Sequence, residues 1–249
     1  MGKDQIVSIL DDVHAEINQI GWVDEGEKVY FTEQRGRYEF MLRYLEEGII
    51  PGHALLDVGS HVLHFSMAAS SLGYLVSGTD VGLFAGLVSN KLRQERYGIS
   101  EVRECDLSKD TLPYSDQSFD VVNFSETLEH LNFNPLPVVK ELHRVLKPGG
   151  RVLITTPNAL RLGNRVRFLM GHNVFADLNN LCWGDPYSAH YREYSLDEVV
   201  QLLEWGGFTI LIKKTCYLYP ETGIRRLLKE TINFFFPSLP GNLFVVGIK

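Results

Sequence analysis

The sequence predicts a doubly wound α/β protein built on a mostly parallel sheet. Three observations predict it. Short apolar runs of strand type alternate with helix-patterned stretches between residues 53 and 157, the signature of consecutive βαβ units. The first of these runs, HALLDVGS, is short and apolar and ends in Asp and Gly, so a buried strand. Length and composition fit one large globular domain: 249 residues, 45% apolar and 22% charged.

The elements follow in order. Ile6, Ile9, Leu10, Val13, Ile17 and Ile20 fall at helical spacing, so residues 4–20 form an amphipathic helix. A second helix spans 31–48 and stops at Gly48, with Pro51 just beyond. These two make an N-terminal helical cap. HALLDVGS is the first buried strand, FSMAASSLG a helix with a glycine stop, and YLVSGTD the second strand. GLFAGLVSNKLRQERYG reads as one helix, SEVRECD as a weak third strand and SFDVVNFS as the fourth. LPVVKELHRVLKPGG is a helix closed by Lys147, Pro148 and Gly149, and RVLITTPN is the fifth strand. Residues 157–194 are irregular and rich in aromatics, with Arg161, Arg165 and Arg167. Ser195 and Glu198 form a capping box opening the last patterned helix. FTILIKKTCY and NLFVVGIK are of strand type, with a helix expected over 221–236 between them. Right-handed crossovers fold such a series into a Rossmann-like sandwich.

Several functions are excluded by composition. The net charge of −7 opposes broad nucleic-acid binding, which needs a basic footprint. No apolar run approaches the ~20 residues that span a bilayer. The acidic start after Met1 lacks a secretory apolar core. Three scattered cysteines suit free thiols in a reducing compartment, so a cytoplasmic location is expected.

In an open α/β sheet, ligands bind at the carboxyl ends of the strands. Here those ends carry Asp57-Val58-Gly59-Ser60, Asp80 and Asp106. A carboxylate ending the second strand suits a ribose diol, and the Gly59 turn lets a helix N-terminus approach a ligand. These features describe a nucleoside pocket. The GxGxxG string of a dinucleotide site is absent, which counts against a nicotinamide-dependent oxidoreductase.

An acidic residue two positions before the first loop glycine resembles the signature of class I S-adenosylmethionine-dependent methyltransferases. CDLSKDTLPYSDQSFDVVNFSETLEHL, ELHRVLKPGGRVLITTPN and HYREYSLDEVVQLLEWGGF are similar to successive segments of that superfamily's small-molecule, glycan and quinone O-methyltransferase-like branch. The resemblance covers about residues 30–249. It implies a seven-stranded sheet with the last strand antiparallel, in a single domain over 1–249. Its parts are a cap (1–50), a cofactor-binding core (51–157), a variable substrate-facing insert (158–194) and a C-terminal helix and strand hairpin (195–249).

The resemblance also implies roles. Gly59, Ser60 and His61 border the methionine part of S-adenosylmethionine. Asp80 takes the ribose hydroxyls and Val81 packs on the adenine. Asp106 accepts from the adenine amino group, beside Leu107. Ser125 borders the reaction centre, and Arg37 pairs with the cofactor carboxylate. The implied reaction is methylation of an oxygen on a small molecule or glycan. His190, before the last patterned helix, is the first candidate for a general base, followed by His130. Glu126, Glu129 and His130 would share one face if they began a helix, and with His190 they form a candidate divalent-metal set. That string also resembles the metal site of small-RNA 2′-O-methyltransferases, a reading the acidic balance opposes. Tyr187, Tyr191, Tyr194 and Trp183 are candidates for stacking on the acceptor. His53, His64, His143 and His172 carry no partner pattern and read as structural.

One departure stands out. The superfamily's second and third loop glycines are His61 and Leu63 here. The alternative function is therefore a methyltransferase-fold binding or scaffold protein that no longer catalyses.

Overall fold

The computed structural model describes residues 3–20, 25–48, 52–184, 187, 189–218 and 235–249. The expected helix over 221–236 falls largely outside them. The chain opens with α1 (Lys3–Ile20) and α2 (Glu25–Gly48), then runs β1 (Ala54–Val58), α3 (His64–Ser71), β2 (Leu75–Asp80), α4 (Gly82–Ala85), α5 (Val88–Tyr97) and β3 (Val102–Glu104). It continues through β4 (Phe119–Ser125), a 3-10 turn at Leu128–His130, α6 (Leu136–Val145), β5 (Leu146–Pro157), α7 (Leu162–Leu169), α8 (Leu178–Trp183), α9 (Leu196–Trp205), β6 (Thr209–Cys216) and β7 (Asn242–Ile248).

The seven strands lie in the order β3-β2-β1-β4-β5-β7-β6. The first five are parallel, and β7 inserts antiparallel between β5 and β6. The strand order reverses beside β1, so the ends of β1 and β4 flank the crevice where such sheets bind ligands.

Successive strand residues face opposite layers, and the core records it. Leu55, Val121, Leu153 and Phe244 join one buried cluster with the cap helices and α3. Leu56, Val122, Ile154 and Val245 join a second cluster with α6 and α9. Both faces are covered, which is why the strands read as unbroken apolar runs. The capping box at α9 is present as expected, with the Ser195 side chain accepting from the Glu198 amide and Glu198 answering the Ser195 amide. Among the described residues no helix is long and apolar enough to cross a membrane.

Three expectations are corrected. The helix expected over 82–98 is two, because Asn90 Nδ2 caps the Phe84 carbonyl at 2.9 Å and the chain is extended at Leu87 before restarting. The helix over 136–150 ends at Val145, since Pro148 removes a backbone donor and disfavours helix in the residue before it. The irregular insert contains α7 and α8.

Candidate active site

A cavity of about 1090 Å³ opens at the carboxyl ends of β1, β2 and β4. Every residue singled out above for cofactor or catalysis lines it, as do Glu126 and Glu129.

Its first wall is made of loop backbone and strand-end carboxylates. Asp57 is buried (3% exposed) and accepts from Ser66 Oγ on α3 at 2.6 Å and from Asn123 Nδ2 on β4 at 2.7 Å. It is therefore the bolt between β1, β4 and α3. Burial raises its pKa, while those two hydrogen bonds and Arg37 oppose the rise. The loop after β1 has φ of 78° at Gly59, 48° at His61 and 65° at Leu63. The two residues that replace glycine thus keep the left-handed backbone glycine favours. Histidine is among the residues found there, whereas a bulky leucine is an outlier. Asp80 closes the loop by accepting from the amides of His61 (2.6 Å) and Val81 (2.8 Å). Burial lifts the Asp80 pKa to about 6, the two amides lower it and nearby Asp57 raises it. The His61 ring stands edge-on to Phe84 and Tyr30, with centroids 4.5 and 5.3 Å apart. Burial chiefly, then the neighbouring His64, lowers its pKa to about 4.

Asp106 occupies the cavity rim. Its carboxylate accepts from the Ser108 amide (3.0 Å) and hydroxyl (2.6 Å) and pairs with Lys109 Nζ at 2.6 Å. The Lys109 and Ser108 hydrogen bonds hold its pKa near 2. Arg37, nearly buried, enters from α2, faces the Tyr38 ring and lies 3.4 Å from Glu126 Oε2.

The second wall is built from side chains. Glu129 is fully buried, and its Oε2 accepts from Thr156 Oγ1 at 2.9 Å. Its Oε1 has no hydrogen-bond partner among the described residues. Burial raises the Glu129 pKa to about 7 against the Thr156 and backbone hydrogen bonds. His130 Nδ1 lies 3.0 Å from the Ala189 carbonyl. A carbonyl oxygen only accepts, so Nδ1 carries a proton. The His190 ring stands edge-on to His130 with centroids 4.8 Å apart, and its Nδ1 is 3.9 Å from Glu193. Glu193 is held by Arg161 and by Asn164 Nδ2. Ligand atoms of Glu129, His130 and His190 all lie within 4.8 Å of one another.

The expected metal set is corrected here. Glu126 is not in this cluster, because β4 ends at Ser125, Glu126 turns left-handed (φ 49°) toward Arg37, and only the short 3-10 turn follows. His190, the fourth member of the expected set, does join Glu129 and His130. Of the candidate stacking residues, Tyr187 lines the cavity, Tyr194 is buried, and Trp183 is 86% exposed away from it. His64, read as a structural residue without a partner pattern, is buried against Glu27. The sequence reading also missed Asn123, Thr127 and Gln34, which line the cavity. Asn123 had a signal, as a polar residue inside the apolar run of β4.

These observations give the domain the Rossmann-like fold of class I S-adenosylmethionine-dependent methyltransferases. Residues 56–154 match the family model described as a methyltransferase domain, Methyltransf_11. A ubiquinone biosynthesis O-methyltransferase of Pseudomonas syringae is 34% identical over 113 residues, 45% of this chain and 48% of that protein. A Mycolicibacterium smegmatis protein named "Probable S-adenosylmethionine-dependent methyltransferase" is 36% identical over 115 residues, 46% of this chain and 37% of that one. The chain thus spans about half the length, or less, of these curated relatives. An Archaeoglobus fulgidus SAM-dependent methyltransferase superposes with a TM-score of 0.56 at 17% identity, covering 89% of this chain and 99% of that one. That likeness shows the fold.

Proposed function

We propose that the protein transfers a methyl group from S-adenosylmethionine to a hydroxyl oxygen of a small-molecule or glycan acceptor. One observation carries the reading: a single cavity joins the strand-end carboxylates and left-handed loop of its first wall to the Glu129–His130–His190 cluster of its second. The relatives named for O-methylation support oxygen as the acceptor atom.

The residues present fit the cofactor. Asp80 offers a carboxylate to a ribose diol, and Val81 and Leu107 offer apolar faces to a base. Gln34 Oε1 and Glu126 Oε1, buried without hydrogen-bond partners among the described residues, are acceptors suited to an ammonium group. Arg37 beside them suits a carboxylate. Gly59, Ser60, His61 and Ser125 complete that end, and Asp106 stands at the base end beside Leu107.

When bound, the cofactor supplies a methyl group on a cationic sulfur that is already a leaving group. The chain then has two tasks: to orient the acceptor and to take its proton. His190 and His130 are placed for the proton, and buried Glu129 stands beside them to stabilise the resulting imidazolium. A second reading is favoured by the same cluster. One carboxylate oxygen and two imidazole nitrogens within 4.8 Å suit a divalent cation, which would fix the acceptor oxygen at Glu129, His130 and His190.

Calorimetric titration with S-adenosylmethionine and S-adenosylhomocysteine tests the proposal. Micromolar binding, about −8 kcal/mol, supports it. Absence of binding at millimolar ligand, with and without magnesium, overturns it in favour of a non-catalytic binding protein. Loss of turnover on chelation, restored by added metal, selects the second reading.

A further inference from the structure

A left-handed conformation costs roughly 1–2 kcal/mol per non-glycine residue, so His61 and Leu63 stay left-handed only if the surroundings impose it. Leu63 is held partly by its own side chain, which is fully buried in the core. His61 is held less deeply, by its amide on Asp80 and by ring edges on Phe84 and Tyr30, and its surroundings include a further arrangement that the chemistry above does not use.

Two side chains of α5, three positions apart and so on one helix face, grip the loop's carbonyls. Asn90 Nδ2 donates to the His61 carbonyl at 2.7 Å, and Arg93 Nη1 donates to the Val62 carbonyl at 2.9 Å. The Arg93 side chain is only 2% exposed, and a buried guanidinium needs a counter-charge. It has one in Glu27 of α2, whose Oε1 lies 2.7 Å from Arg93 Nη2. The same oxygen lies 2.7 Å from Nε2 of His64, the first residue of α3. Glu27, Asn90 and Arg93 do not line the cavity.

We infer that Glu27, Asn90 and Arg93 are positioning residues for the cofactor loop, a buried clamp anchored in the N-terminal cap that imposes the backbone glycine would adopt unaided. The inference rests on reading this cavity as the S-adenosylmethionine site. It makes the cap part of the cofactor machinery. A loop released from the clamp samples conformers that do not bind, and apparent affinity falls by the fraction that remains competent. Reciprocally, cofactor binding tightens the docking of α2.

The test is a double-mutant cycle in the full chain. Glu27→Gln and Asn90→Ala are each made alone and with His61→Gly, and S-adenosylhomocysteine affinity is measured by calorimetry. Each clamp variant should weaken binding at least about 10-fold, and His61→Gly should recover most of that loss, because glycine needs no clamp. If His61→Gly changes affinity by the same factor with and without the clamp, the clamp is refuted and the three residues only pack. Should Glu27→Gln fail to fold, Asn90→Ala, which leaves the buried ion pair intact, carries the cycle.

Amide exchange on the unliganded protein separates this inference from the cofactor reading. Asn90→Ala should speed exchange at the loop amides of residues 61–64 while β4 and β5 keep their protection. Uniform acceleration, or none at the loop, overturns the clamp whatever the protein binds. A wild type that binds no S-adenosylhomocysteine refutes the loop's role toward a cofactor and sinks the cofactor reading with it.

Discussion

The two walls of the cavity are built on different principles. At the ends of β1 and β2 the geometry is a matter of backbone. Loop amides meet the Asp80 carboxylate, Asp57 bolts β1 to α3 and β4, and the left-handed turns survive without their glycines. At the ends of β4 and β5 it is a matter of side chains drawn from afar, as when His130 meets the Ala189 carbonyl 59 positions along the chain. The first wall tolerates sequence change because neighbouring elements enforce its shape. The second has no such support: on the proposed reading each of its groups would act through its own titratable atoms.

If that division holds, substitutions on the two walls should separate catalysis from cofactor binding. The largest effect is expected for His190→Ala or His130→Ala. With any phenol, catechol or monosaccharide probe that the wild type turns over, kcat should fall about 100- to 10,000-fold, as for loss of a general base. S-adenosylhomocysteine affinity should move less than about 3-fold, well under 1 kcal/mol. Parallel losses of rate and affinity would erase the division.

Asp80→Asn should do the reverse. On the proposed reading, losing the charge offered to a ribose diol should weaken S-adenosylhomocysteine about 10- to 100-fold, the scale of hydrogen bonds to a charged group. An unchanged dissociation constant would remove Asp80 from the site.

The same residue predicts a pH signature. Burial lifts its pKa from 3.8 to about 6 in the folded protein. The native state therefore holds this proton more tightly than the unfolded chain, and stability of the unliganded protein falls as pH rises from about 4 to 6. Cofactor affinity runs the other way, rising across that window as the ionised form that accepts ribose hydroxyls is populated. Asp80→Asn should flatten both slopes, read from urea midpoints and titrations at the two ends of the window. Slopes that persist in the variant belong to another group.

The contrast also explains what could be read from the sequence. The strands were legible because both faces are covered, so Leu55-Leu56 and Val121-Val122 announce themselves as unbroken apolar runs. The first wall's acids were legible because they stand at the ends of those runs. Its support was not, since Glu27, Asn90 and Arg93 meet the loop from 29 to 37 positions away and leave no local pattern. On the second wall the residue types were legible and their grouping was not. That Glu126 leaves the set of Glu129, His130 and His190 depends on a left-handed turn after β4 that spacing alone does not encode.

The smallest effect concerns the loop itself. His61→Gly relieves about 1–2 kcal/mol of left-handed strain. Against this stand glycine's greater freedom in the unfolded chain, about 0.5–1 kcal/mol, and the edge contacts with Phe84 and Tyr30, each about 0.5–1.5 kcal/mol. The opposing terms outweigh the relief slightly, so His61→Gly should destabilise by about 1 kcal/mol. Leu63→Gly relieves similar strain but empties a fully buried site worth about 2–5 kcal/mol, and should destabilise by about 2 kcal/mol or more. Urea unfolding of the two variants side by side reads the difference. Equal values would mean that packing does not distinguish the two positions. A wall enforced by its neighbours requires the buried leucine to matter more than the partly buried ring, although both sit in the left-handed region.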